Sequence, residues 1–340
     1  MSGDSVSTIV YVSNAGSAEI SVLRLEDDGA LKPVQTVDTA GAVMPLTTGP
    51  GHRHLYASLR SEPYSVACYE IDSGTGELTE QARVRLPDNM AYLSTDRHGR
   101  FLFAASYSGS VVSVNPIGPD GIVEAEPSVV LATPPHAHSV VVDPSNRYLF
   151  AASLGGDVLL QYLFDQVTGV PILNVPPRVP TLPGAGPRHL VFHPDGRRVY
   201  VVNELDGTVG GYEFDTGTGC LTPIGTYSAI PERCGQAWAA EVRLTPDGRY
   251  LYVSERRSST LAGFRVAADT GALEPLGHTA TETCPRGFDI DPSGRYLLAA
   301  GQESDALTVH AIDPDTGALT TCGRQELGRD PNWVEIVELR

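Results

Sequence analysis

Gly186–Gly219 reads GPRHLVFHPDGRRVYVVNELDGTVGGYEFDTGTG, and this stretch decides the fold. RHLVFHP, beginning at Arg188, is a short apolar strand. PDGR, with Asp195–Gly196, is a hairpin turn, because Asp-Gly supplies the positive φ that such turns require. RVYVVN (198–203) runs back, VGGYEF (ending at Phe214) goes out again, and a TG turn leads to a fourth strand. The reading is a four-stranded antiparallel meander.

Working outward, RVYVVN has counterparts along the chain in IVYVSN, HLYASL, FLFAAS, YLFAAS, YLYVSE and YLLAAG. Their third residues are Tyr11, Tyr56, Phe103, Phe150, Tyr200, Tyr252 and Leu298, spaced 45 to 52 apart. The TG turn recurs with the same spacing, at Gly29, Gly76, Gly121, Gly169, Gly219, Gly271 and Gly317. Two markers that keep step at this period, with about four short strands per unit, predict propeller blades. The expected fold is all-β, a single seven-bladed β-propeller domain over residues 1–340. The ends are out of phase. The chain opens on a second strand (Ile9–Asn14) and finishes on PNWVEIVEL, a first strand with no return. Asn332–Leu339 is therefore expected to become the inner strand of the first blade and close the ring.

The formal net charge is −17, and Lys32 is the one lysine among 24 basic residues. Such a surface repels phosphate backbones, so nucleic acid is not an expected partner. No apolar run approaches the ~20 residues of a membrane span, and no secretory signal is expected. Cys68, Cys220, Cys234, Cys284 and Cys322 are scattered and odd in number. That fits a reducing compartment and argues against a disulfide framework or a zinc site.

Strand direction localises the chemistry. Inner-strand starts and second-strand ends share one mouth of the ring, whereas the PDGR and TG turns share the other. The first mouth gathers His136, His138, Arg188, His189, Trp238, Glu241, Arg286 and Trp333, with Arg60, Glu204, Glu255 and Gln302 from the second strands. Arginine, histidine, glutamate and tryptophan around one axis are what a polar substrate pocket requires. Arg188 and Arg286 can bind an anion or stabilise an oxyanion, or they can tie blades together through Glu204 or Glu241. His138 and Glu204 are candidate acid–base groups, or a satisfied inner-strand histidine and an ordinary ion-pair partner. His136-x-His138 places two imidazoles on one strand face if alternation holds, but no third ligand is evident, so no metal or other cofactor is expected.

At these residues the chain resembles the bacterial propeller-type 6-phosphogluconolactonases. The resemblance is strongest in GAGPRHLVFHPDGRRVYVVNEL (184–205), WAAEVRLTPDGRYLY (238–252) and TETCPRGFDIDPSGRYLLAAGQ (281–302). It implies a seven-bladed fold, a cytoplasmic location and hydrolysis of a small-molecule sugar lactone without an obligatory metal. The related fungal carboxymuconate lactonising enzymes have a proposed site of one histidine, two arginines and one glutamate. By motif these fall on His138 (HSVVVDP), Arg188 (GPRH), Glu204 (VNEL) and Arg286 (PRGF). Arg60, His189, Trp238, Glu241, Gln302 and Trp333 complete the expected substrate-binding set. The expected substrate is 6-phosphoglucono-1,5-lactone. An unphosphorylated aldarate or uronate lactone is the alternative, and a non-catalytic scaffold with a broad apolar patch is the other.

Overall fold

The computed structural model describes residues 6–232 and 235–340; Cys234 lies outside the described residues. Every regular element described is a β-strand. Seven four-stranded antiparallel sheets form, and in six of them the strand order follows the chain. The seventh is the closing blade. There Pro331–Leu339 pairs with Ser7–Asn14, with Thr8 opposite Glu338 and Val12 opposite Val334. We number this blade 1, and blades 2 to 7 begin at Val43, Met90, Ala137, Pro187, Ala239 and Pro285.

The two sequence markers keep step because they touch. The second-strand tyrosine of one blade donates to the carbonyl of the turn glycine in the next. Tyr11 reaches Gly76 at 2.9 Å, Tyr56 reaches Gly121 at 3.0 Å, Tyr200 reaches Gly271 at 2.8 Å and Tyr252 reaches Gly317 at 2.7 Å. The glycine is required twice over. Gly219 has φ +73, and a Cβ there would lie 2.1 Å from the Tyr148 ring. A positive φ and a backbone pressed against the neighbouring blade leave room for no other residue.

Second and third strands are buried on both faces, as in Tyr148–Ser153 and Val158–Phe164. Fourth strands alternate or lie mostly exposed. Blade 3 departs from the others, with a fourth strand reduced to Val129–Ala132. Pro116, Pro119 and Pro127 interrupt the preceding segment, and proline cannot donate to a ladder.

Inner strands carry the site. In all seven a register shift falls in the first residues, for example between Pro187 and His189 and between Pro285 and Gly287. The extra residue re-aims the side chain beside it, here Arg188 and Arg286, at the mouth.

Candidate active site

The floor of the mouth is a cluster of rings from four inner strands. Tyr92 meets His189 edge-on at 4.9 Å and Trp333 at 5.5 Å, and His138 lies 5.1 Å from His189. All four are buried. Burial, then the neighbouring Arg188 and Arg286 guanidinium groups, hold His138 neutral, well below the usual imidazole range. Burial, then four arginines led by Arg188, does the same to His189. A neutral His189 donates Nδ1–H to Glu241 Oε1 at 3.1 Å. His189 Nε2, His138 Nδ1 and Trp333 Nε1 are buried with no hydrogen-bond partner among the described residues.

Above the floor stand the arginines. Arg188 Nε lies 2.9 Å from Glu204 Oε2, too far off the N–H axis to be a straight hydrogen bond. Arg256 Nη2 reaches the same oxygen at 2.8 Å. Arg188 Nη1 also donates to the Ala240 carbonyl. The Arg286 guanidinium is destabilised first by burial, then by Arg188, Arg256 and Arg60; Glu204 is the carboxylate that offsets this. Its Nε is buried and unpartnered. Arg60 Nε is held by Asn89 Oδ1 at 2.7 Å. Arg188 and Arg256 thus share one carboxylate oxygen while Arg286 is crowded by both and by Arg60, in a chain whose net charge is −17.

Below the floor, Arg243 binds Glu241 Oε1 at 3.0 Å and Asp289 Oδ1 at 3.1 Å. Glu335 accepts from the backbone N–H and hydroxyl of Thr48 at 3.0 and 2.9 Å. Burial and then Asp289 push Glu335 up to about 7.

The fold brings together His138, Arg188, His189, Glu204, Glu241, Arg286 and Trp333. Trp238 stands at the rim under Arg256, whose guanidinium lies 3.9 Å from its ring centroid. Gln302 is turned aside: Nε2 donates to Asp330 at 2.7 Å, and Cys284 Sγ lies 3.7 Å from its Oε1. Glu255 also turns away, accepting from Trp238 N and Ser258. His136 lies outside the strand that carries His138, although both rings meet Tyr107. It precedes the strand with φ +63 and stacks on Tyr107 at 4.1 Å, so alternation fails there. No group of three His, Cys, Asp or Glu placed to hold a metal occurs among the described residues.

Arg256, Tyr92, Arg243 and Glu335 were not singled out by the sequence. The inner-strand residues were findable: Arg243 and Glu335 stand two positions beyond Glu241 and Trp333, hence on the same strand face. Arg256 carried a weaker signal, an Arg-Arg pair just past a second-strand end.

The sequence profile of the seven-bladed β-propeller lactonases matches residues 7–336. This chain belongs to that lactonase family. A 6-phosphogluconolactonase from Pectobacterium carotovorum subsp. carotovorum is 43% identical over 332 residues, covering 97% of this chain and 99% of that one. The 6-phosphogluconolactonase of Serratia proteamaculans is 40% identical over 332 residues, covering 97% and 98%. Among solved structures, a periplasmic gluconolactonase of Pseudomonas aeruginosa superposes with a TM-score of 0.91 at 32% identity, covering 99% of this lactonase chain and 100% of its own.

Proposed function

We propose that this lactonase hydrolyses 6-phosphoglucono-1,5-lactone to 6-phosphogluconate. The observation that carries the reading is the crowding of guanidinium charge at the mouth: Arg188 and Arg256 share one Glu204 oxygen, and Arg286 is pressed by both and by Arg60. A phosphorylated lactone brings the anion that this cluster lacks. The named relatives point the same way. The scaffold alternative loses ground, because the mouth is charged. Exposed Leu163, Val167, Ile172, Leu173 and Val175 lie instead on the outer part of blade 4.

The residues take these roles. Water attacks the lactone carbonyl carbon, held by the free Oε1 of Glu204, while the neutral His138 imidazole takes its proton. The carbonyl oxygen gains charge beside Arg188 and Arg286, whose buried guanidinium groups are fixed donors. The bond from the carbonyl carbon to the ring oxygen breaks, and the ring oxygen takes the proton back from His138. The free acid gives up its proton to solvent. A negatively charged substrate offsets the arginine field that disfavours imidazolium, so binding itself makes His138 a better base. General acid–base help of about 10²–10⁴-fold suffices for a lactone that also opens unaided. His189, Glu241 and Trp333 support the floor, and Arg60 and Trp238 bound the substrate; Gln302 acts only through Asp330. The cytoplasmic location is part of this proposal, since the phosphorylated substrate is an intracellular metabolite class; cell fractionation tests it.

The deciding assay compares freshly generated 6-phosphoglucono-1,5-lactone with glucono- and galactaro-1,5-lactone, with chelator present and spontaneous opening subtracted. A higher kcat/KM for the phosphorylated lactone supports the reading. A preference for the aldarate lactone replaces the substrate, and turnover of none of them ends the lactonase assignment.

A further inference from the structure

We infer that Arg256, with Trp238 as its platform, binds the phosphoryl group of the substrate and sets the preference for it. The inference rests on the phosphorylated-lactone reading above. Three observations carry it. Arg256 is pre-positioned: Nε donates to the Trp238 carbonyl at 3.1 Å, Nη2 to the Ala239 carbonyl at 3.2 Å, and the guanidinium carbon lies over the indole, 3.9 Å from its ring centroid. Its charge is under-compensated. Nη2 shares Glu204 Oε2 with Arg188, and burial followed by repulsion from Arg188 pushes the group down to about 10. Its position also separates it from the reacting end. Arg188 and Arg286 are among the leading charges acting on His138, whereas Arg256 packs on Trp238 at the rim.

A lactone whose carbonyl lies between His138, Arg188 and Arg286 extends its far end across the mouth. A guanidinium held by backbone carbonyls and an aromatic face loses little side-chain entropy on gripping a phosphoryl group. Engagement of the substrate dianion also draws Arg256 off Glu204 Oε2, leaving that carboxylate freer to hold water.

The test uses Arg256→Gln and Arg256→Lys in the full chain, each first checked for wild-type folding by circular dichroism and melting. Both variants disturb Glu204 and lower turnover of every lactone. The informative quantity is the ratio of kcat/KM for 6-phosphoglucono-1,5-lactone to that for glucono-1,5-lactone. Loss of one charge-assisted contact is expected to drop this ratio roughly 10- to 100-fold in Arg256→Gln. Inhibition of glucono-1,5-lactone hydrolysis by inorganic phosphate should weaken by a similar factor. Arg256→Lys, which keeps the charge and loses the fork, should fall between. If both ratio and phosphate inhibition stay at wild-type values while turnover falls, Arg256 merely props Glu204 and the inference is overturned. If the wild-type enzyme shows no preference for the phosphorylated lactone, the functional reading itself fails and this inference with it.

Discussion

His189 Nδ1 and Glu241 Oε1 meet at 3.1 Å across the boundary between blades 5 and 6. The same carboxylate oxygen lies 3.0 Å from Arg243 Nη1 and accepts from the Val242 N–H at 3.0 Å. Glu241 is 1% exposed, and burial raises its pKa; Arg243 and Arg188 oppose this without cancelling it. Its removal would leave Arg243 and Arg188 with less counter-charge in a buried site. Glu241→Ala is therefore expected to cost about 3 kcal/mol, the scale of breaking a buried ion pair. Urea unfolding should show a lower midpoint at unchanged slope. A loss under about 1 kcal/mol would mean that the folded protein holds Glu241 protonated.

The inter-blade tyrosines give a second expectation. Tyr252 donates to Gly317 at 2.7 Å, yet Phe103 and Phe150 occupy the same strand position in blades 3 and 4 without a hydroxyl. The bond is thus replaceable but not idle. Tyr252→Phe should cost about 1 kcal/mol. Gly317→Ala should cost more, because its Cβ would stand 2.3 Å from the Tyr250 ring at a φ of +74. Comparable losses from the two variants would refute the steric argument.

How far the sequence could be read follows from the geometry of the repeat. Tyr200 and Gly271 announced the blades because the contact between them recurs around the ring at nearly fixed spacing. Arg188, Glu204 and Arg286 were legible because strand direction alone assigns them to one mouth. Arg256 was missed because nothing in its local pattern says that its side chain folds back over Trp238. Gln302 was over-read, since its partner Asp330 lies on the next connection, 28 residues away. The failed alternation at His136 depended on a backbone angle that a histidine rarely adopts.

Glu335 should make stability depend on pH. Burial and Asp289 raise its folded-state value from 4.5 to about 7. The folded state therefore binds this proton more tightly than the unfolded chain does. The contribution is complete below about pH 4.5 and is lost as pH rises through about 7. At ~1.4 kcal/mol per unit the full effect is at most about 3.5 kcal/mol. Glu335→Gln should flatten the stability profile between pH 5 and 7. An unchanged slope in the variant would show that another group carries the dependence.

His138 gives the sharpest kinetic expectation. Burial comes first, followed by Arg188 and Arg286, in holding its imidazole neutral well below 6.5. For a base that must be neutral to act, kcat/KM should stay level from pH 8 down through 6.5, with its acid limb only below that. His138→Ala should lower kcat roughly 10²–10⁴-fold and abolish that limb. Arg286→Gln removes one repelling cation, so its residual activity should show the limb displaced to higher pH. Because burial remains the larger influence, the displaced limb should still fall below 6.5. A wild-type limb at or above 6.5, or one unmoved in Arg286→Gln, would take the role of base away from His138.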